Sequence, residues 1–509
     1  MPKKQIIGLL IIPVLFFLIY FQVFFANYVY TDEANQVWHN NDGLNYTMFT
    51  VQGRWLTGLL SNKLFAWVST IANIKYVRIF SFAGWILVVI LWQFIFSKWV
   101  NALHIDKRLA LLMNFYIVCC IPVSISIGWA SCMQLFPAVG AGLLSGHLLF
   151  KSLFKKEGDI SIPFFTSICS LILGIISLFF YQSAFGVFLL PFFIYYLKKQ
   201  PARPGKTIIV AVLFYLFVYV VYYFLFNYCL KLSGMQPVNR AGISTDVIGK
   251  LSFLFSDPLP SAFSANILYT ARSIFSQILA PLMMAGWAIS VFIRYKKTGI
   301  VNALLHIVIV LSFLVLIYLP SMVVLENFAS YRTLFAFNLA VFYLVTDQVL
   351  FFLKKQAGRK IFIYTTCIFL LATGFYNFNY QFVNPAKAER KAFISFMNKN
   401  VKTDLETVYF IRSDKFLFNS FFYTLPYKDE FGLPSTNKDW VPESLVKQYI
   451  FESTGNRSIA EKIKVIQFAD TSEYNNAKIQ LSGNDLLIDM NKIFRDYMNE
   501  KKQHNTSGK

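Results

Sequence analysis

Runs of about twenty apolar residues recur through the first three quarters of the chain, and few folds accommodate them. An apolar helix of roughly that length spans the hydrocarbon layer of a bilayer while satisfying its own backbone. The runs fall at approximately 6–26, 76–96, 109–128, 132–150, 162–180, 182–197, 207–226, 272–293, 300–319, 333–353 and 361–376. Composition agrees, with 14% charged and 56% hydrophobic residues, where a soluble domain carries roughly 25% charged residues. An 18% aromatic content argues against disorder. The sequence therefore predicts a polytopic α-helical membrane protein with about eleven transmembrane helices. The first run, Ile6–Phe25 behind Lys3 and Lys4, is longer than a signal-peptide core and lacks a small-x-small cleavage site, so it reads as a retained helix.

A net charge of +21 would suit nucleic-acid binding, but its distribution says otherwise. Residues 1–376 carry 28 basic and 10 acidic side chains, net +18, while 377–509 carry 19 and 16, net +3. The excess sits in alternate loops: Lys98, Lys107 and Arg108; Lys151, Lys155 and Lys156; Lys198, Lys199, Arg203 and Lys206; Arg294, Lys296 and Lys297; Lys354, Lys355, Arg359 and Lys360. By the positive-inside rule these loops and the N-terminus are cytoplasmic, and an odd number of spans sends the C-terminus out. A bacterial inner membrane is the expected location, with membrane lipids and not nucleic acid as partners.

The chain then divides into a transmembrane module, 1–376, with long outer loops at 27–75 and 227–271, and an extracytoplasmic domain, 377–509. In the latter, Glu406–Arg412 and Lys464–Phe468 read as strands, Pro385–Asn400 and Pro442–Thr454 as helices, giving a small α/β domain. The six cysteines lie in or beside apolar stretches, without metal-ligand spacing, and read as buried small hydrophobes. No internal repeat of the kind transporters carry is evident.

Acids are scarce before residue 377: Asp32, Glu33, Asp42, Asp106, Glu157, Asp159, Asp246, Asp257, Glu326 and Asp347. Asp32 and Glu33 stand out because they follow the first span directly. A carboxylate pair beside an apolar slab is raised in pKa by desolvation and mutual repulsion, which suits a general base; a solvated pair at the interface is the plainer alternative. Further on, Arg54 offers a planar fork suited to phosphate. Leu56, Leu60, Leu64 and Trp67 then recur at helical spacing, as in an interfacial helix. His147 and His306 read as packed helix residues, His39 as a loop residue near substrate, and Asn45-Tyr46-Thr47 as a chance glycosylation sequon.

The order Asp32-Glu33, then Gly53-Arg54-Trp55-Leu56, on this topology resembles the GT-C superfamily of membrane glycosyltransferases, most of all the polytopic O-antigen glucosyltransferase group. Tyr181-Gln182 and Tyr331-Arg332-Thr333 are similar to polar positions of that group. The resemblance covers 1–376 but not the tail, and the acidic pair here is Asp-Glu. It implies an inverting transfer of a sugar, a hexose such as glucose, from a polyprenyl-phosphate donor to a glycan or lipid-linked acceptor at the outer membrane boundary. Asp32 would be the base and Glu33 its partner or a metal ligand. Arg54, Arg240 and Arg332 would bind the donor phosphate, with Trp55, Tyr181, Gln182, Glu326 and Tyr331 contacting substrate. Members of the superfamily differ in their use of a divalent cation such as Mg or Mn, which Asp32, Glu33 and Glu326 would hold.

Each assignment has an ordinary counterpart. Tyr181 suits an interfacial anchor, and Arg240 an ordinary loop charge. Arg332 opens a helix, where the dipole disfavours a cation, so it calls for an anionic partner, either Glu326 or phosphate. Two rival functions remain: a glycolipid or polysaccharide transporter or flippase, which would carry its charges near mid-bilayer, and a polysaccharide polymerase or ligase, which needs no acidic pair after the first helix.

Overall fold

A computed structural model describes the chain except residues 1–2, 43–45, 155–162, 200–204, 239–241, 265, 269–273, 403, 426–429 and 508–509. The architecture follows from the apolar runs. Among the described residues, eight helices are long and apolar enough to cross a membrane: Ile71–Ala102, Lys107–Gly128, Ala130–Leu153, Lys206–Ser233, Ile278–Tyr295, Ile300–Ile317, Tyr331–Phe352 and Gln356–Asn400. The three other expected runs are shorter or irregular. The first is an α-helix over Lys3–Tyr20 that ends in a 3-10 turn, Phe21–Phe25, and Phe164–Phe180 is an apolar α-helix of 17 residues. The run at 182–197 begins as a 3-10 helix, Gln182–Leu189, and becomes α-helical only at Leu190–Lys199.

The basic loops meet at one end of the bundle. There Lys198 and Arg294 both pair with the buried carboxylate of Asp347, the Arg294 contact being 3.0 Å, and Arg108 donates to Gln356 at 3.1 Å. Asp106 caps the helix Lys107–Cys119 by accepting from the Arg108 N–H. The loops between them meet at the other end. Ser244 donates to the Val323 carbonyl, Leu325 to that of Gly242, both at 2.7 Å, and Val238 to that of Val51 at 3.5 Å.

The C-terminal region holds a three-stranded parallel sheet in the order β2-β1-β3, with β1 Thr407–Ile411, β2 Lys464–Phe468 and β3 Asp485–Asp489. The first two strands and the helices Asn384–Asn400 and Pro442–Thr454 fall where the sequence puts them. β3 escaped notice because only three apolar residues lie between its terminal aspartates. The last span runs on into this region through a π-helical turn at Asn377–Val383. Apolar packing follows the same continuity: Val29, Trp38, Phe65 and Val77 share one cluster with Phe393, Phe410, Leu445 and Phe494. The first outer loop and the tail thus bury their apolar faces against each other.

On the helix Trp55–Phe65, Leu56, Leu60 and Leu64 pack against the protein, while Trp55, Leu59 and, beyond the helix, Trp67 are exposed.

Close packing in the bundle depends on Gly146, where a Cβ would lie 2.4 Å from the Phe188 carbonyl oxygen. Backbone cannot retreat as a side chain can, so Gly146→Ala should cost about 1–3 kcal/mol. Thermal unfolding of the purified protein should show a lower midpoint for that variant, with Gly205→Ala, where nothing lies within 4 Å, close to wild type.

Candidate functional site

After the 3-10 turn Phe21–Phe25 the chain runs extended to Thr31, which adopts φ +42°. That left-handed conformation is unfavourable for a β-branched residue and occurs where surrounding contacts impose it. Here the Thr31 N–H donates to Ser435 Oγ at 3.2 Å, and Ser435 Oγ donates to the Val29 carbonyl at 3.0 Å. The turn delivers Asp32 and Glu33 to opposite surroundings. Asp32, at the start of the helix Glu33–Trp38, is half-buried.

Glu33 is wholly buried. Its carboxylate pairs with Arg78 at 2.5 Å and accepts the Ala130 N–H at 2.5 Å and the Tyr30 N–H at 2.7 Å. Burial pushes the carboxyl up to about 7, against the pull of Arg78 and the two N–H groups. A carboxylate so enclosed fixes the loop that presents Asp32, and the two acids read together in the sequence stand in different surroundings, Glu33 buried against Arg78 and Asp32 half-buried. Arg78 was missed by the sequence reading, although the dipole argument applied to Arg332 also fits a cation in the early turns of Ile74–Ala102.

The Gly53-Arg54 and Tyr181-Gln182 motifs, far apart in sequence, meet directly. Gly53 has φ +77°, and a Cβ there would lie 2.1 Å from the Tyr222 hydroxyl, so only glycine fits. Gln182 Nε2 donates to the Gln52 carbonyl at 2.7 Å and to the Tyr222 hydroxyl at 2.8 Å, while its Oε1 accepts from Arg54 Nε at 3.3 Å. The Arg54 guanidinium lies 4.5 Å above the Tyr181 ring. Tyr181 is 2% exposed, which sets aside the interfacial anchor weighed as its ordinary alternative. Trp55 is exposed instead, its ring edge-on to Phe179 at 6.3 Å.

Arg332 lies 4.7 Å above the Trp129 ring and within 3.5 Å of Cys132 Sγ. A carboxylate partner that the sequence did not suggest is Glu430, which pairs with Arg332 Nε at 3.4 Å and accepts the Tyr331 and Arg332 N–H groups at 2.7 and 3.2 Å. A carboxylate on the opening N–H groups of this turn answers the dipole that disfavours Arg332. Glu326 is exposed, and its carbonyl accepts from Lys250 Nζ at 3.4 Å. Tyr331 is buried, with its ring edge-on to Phe431.

Packing joins the two halves. The Tyr30 ring lies 5.2 Å from the Trp129 ring and Glu33 accepts the Ala130 N–H, so the turn that carries Asp32 meets the corner on which Arg332 rests, while the 3-10 helix Gln182–Leu189, whose first residue accepts from Arg54, packs against the turn Tyr331–Leu334. Asp32, Arg54, Tyr181, Arg332 and Glu430 thus share one neighbourhood at the end of the bundle away from the basic loops. Arg240 and Asn45 lie outside the described residues.

Among the described residues no three His, Cys, Asp or Glu side chains are grouped to hold a metal ion, so Asp32, Glu33 and Glu326 do not assemble as a ligand set. His147 accepts from Trp99 Nε1 at 3.1 Å and His306 lies 3.0 Å from the Tyr295 hydroxyl, both as packed helix residues. His39 is half-buried beside Trp38, and burial lowers its pKa. No protein-family model, curated protein or solved structure matches the chain.

The different surroundings of Asp32 and Glu33 give opposite expectations. Glu33→Gln strands a buried guanidinium and should cost about 3–5 kcal/mol, read as a fall in thermal midpoint and in yield. Asp32→Asn should leave both close to wild type.

Proposed function

We propose that the protein is a membrane glycosyltransferase that moves a sugar from a polyprenyl-phosphate donor to a glycan or lipid-linked acceptor on the outer face of the membrane. The observation that carries the reading is the placing of one half-exposed carboxylate, Asp32, and two guanidinium groups, Arg54 and Arg332, on segments packed together at the bundle end opposite the basic loops. With eleven crossings and the basic loops in the cytoplasm, that end faces outward. A bacterial inner membrane is the setting we favour.

In this reading Asp32 takes the proton of the acceptor hydroxyl as its oxygen bonds to the anomeric carbon. The bond from that carbon to the phosphate oxygen breaks, and the pair of electrons leaves with the lipid phosphate. Attack from the face opposite the phosphate inverts the anomeric centre, as the GT-C resemblance implies. Arg54 and Arg332 meet the charge that grows on the leaving phosphate. Each guanidinium rests on an aromatic face, Tyr181 or Trp129, which limits its motion before the charge arrives. Gln182 orients Arg54 through its Nε, and Glu33 with Arg78 holds the turn that carries Asp32. Arg240 is a third phosphate ligand in this reading, with Trp55 and Glu326 at the substrate's margin.

A transporter or flippase would keep charges along a path at mid-bilayer. Here Asp347 is neutralised by Lys198 and Arg294 beside the basic loops, while Glu33 with Arg78, Arg54 on Tyr181, and Arg332 with Glu430 lie at the other end. That distribution favours chemistry at the membrane surface over passage through it.

The test is turnover by the purified full chain with polyprenyl-phosphate sugars. Asp32→Asn should lose about 10²–10⁴ in kcat, the usual contribution of a general base, with its fold intact. Arg54→Gln should lose activity less completely. An Asp32→Asn enzyme as active as wild type would remove the proposed base.

A further inference from the structure

The stretch from Glu430 to Thr436 touches both halves of the proposed site. At one end Glu430, fully buried, takes the Tyr331 and Arg332 N–H groups and the Nε edge of the Arg332 guanidinium. At the other, Ser435 brackets the turn before Asp32, donating to the Val29 carbonyl and accepting the Thr31 N–H. The stretch is itself anchored. Glu389, buried on the helix Asn384–Asn400, accepts the Ser435 and Thr436 N–H groups, each at 2.9 Å, and the Thr436 hydroxyl at 2.7 Å. Between the ends, Phe431 is buried with its ring 5.6 Å from Phe382, and Gly432 turns the chain at φ +66°.

Sinking a carboxylate such as Glu430 is costly unless donors meet it, and here the donors are those of the turn that carries Arg332. The planar guanidinium is thereby held on two sides, by Glu430 along its Nε edge and by the Trp129 ring against its face. A lone arginine at a membrane surface would sample many rotamers; this one is confined before any phosphate arrives. The same strap that confines it also sets the backbone ahead of Asp32.

We infer that the C-terminal region is a working part of the transfer site. Glu430 is a positioning residue that orients Arg332 for the donor phosphate, and the strap it belongs to holds Arg332 and Asp32 in fixed relation. The inference rests on the glycosyltransferase reading and gives the tail a role at the donor phosphate. It also accounts for the continuous helix and shared core that join the tail to the membrane module.

The experiment is equilibrium binding of a polyprenyl monophosphate to the full-length protein in detergent, by calorimetry, with thermal unfolding of each variant alongside. Arg332→Gln should weaken binding about tenfold, as the loss of a charge-assisted phosphate contact does. Glu430→Gln should weaken it comparably, and the double variant should bind no worse than Arg332→Gln alone, because one residue acts through the other. Glu430→Asp, which keeps the charge, should recover part of the loss, and it carries the test if Glu430→Gln fails to fold. Wild-type affinity in Glu430→Gln beside a weakened Arg332→Gln would overturn the positioning role alone, as would additive losses in the double variant. No binding by wild type, or wild-type affinity in Arg332→Gln, would overturn the underlying reading of the site instead.

Discussion

The mouth of the helix bundle is organised by a buried ion pair. Arg78, on the long second span, donates to the Glu33 carboxylate, to the Gly128 carbonyl at 2.9 Å and to the Tyr28 carbonyl at 3.1 Å, and its guanidinium lies 3.8 Å above the Tyr28 ring. Glu33 in turn takes the Ala130 N–H. Three separate segments, the exit from the first helix, the second span and the corner at 128–130, are therefore tied at one point. Breaking the pair would leave a charge in a low-dielectric interior, which is far more costly than losing an exposed ion pair. Asp32 neighbours one member of the pair in sequence, and Trp129, on which Arg332 rests, lies beside the other's partners.

A second constraint comes from the tail. A continuous helix carries the last span into the C-terminal region, and its π turn directs Asn379 to the Ile19 carbonyl at 3.0 Å and Asn377 to that of Asn266 at 2.9 Å. Those bonds hold the helix against the bundle where it leaves the apolar slab. The tail's own core is then completed by residues of the first outer loop, and Gln448 and Glu452 bond the backbone of Ser69 and Ile71. A region attached at so many points moves with the membrane module.

Much of this was legible in the sequence, and the misses have physical reasons. Apolar runs identify helices because only hydrogen-bonded backbone survives in hydrocarbon. The apolar stripe of the helix Trp55–Phe65 is legible from periodicity, but protein interior and lipid are both apolar, so periodicity cannot say that Leu56, Leu60 and Leu64 pack partly against protein while Trp67 is exposed. The interfacial anchor weighed for Tyr181 fails for a similar reason: an aromatic at a helix end serves a membrane interface or a buried ring contact equally well. The irregular 3-10 start at Gln182 left no mark in composition, since hydropathy does not register helix geometry. Glu430 escaped because nothing in the local sequence of the tail distinguishes an acid that will be buried beneath a cation from one that faces water.

What the sequence determined by itself was the membrane class, the set of apolar helices, the segregation of basic loops, and the scarcity of acids that drew the eye to Asp32 and Glu33. These are properties of single residues and short windows, governed by transfer between water and hydrocarbon. Only the tertiary structure decided that Glu33 is buried against Arg78 while its neighbour Asp32 stays half-exposed, that Arg54 rests on Tyr181 and that Arg332 answers to Glu430. Those are choices of partner among residues far apart along the chain, and they depend on which helices pack together.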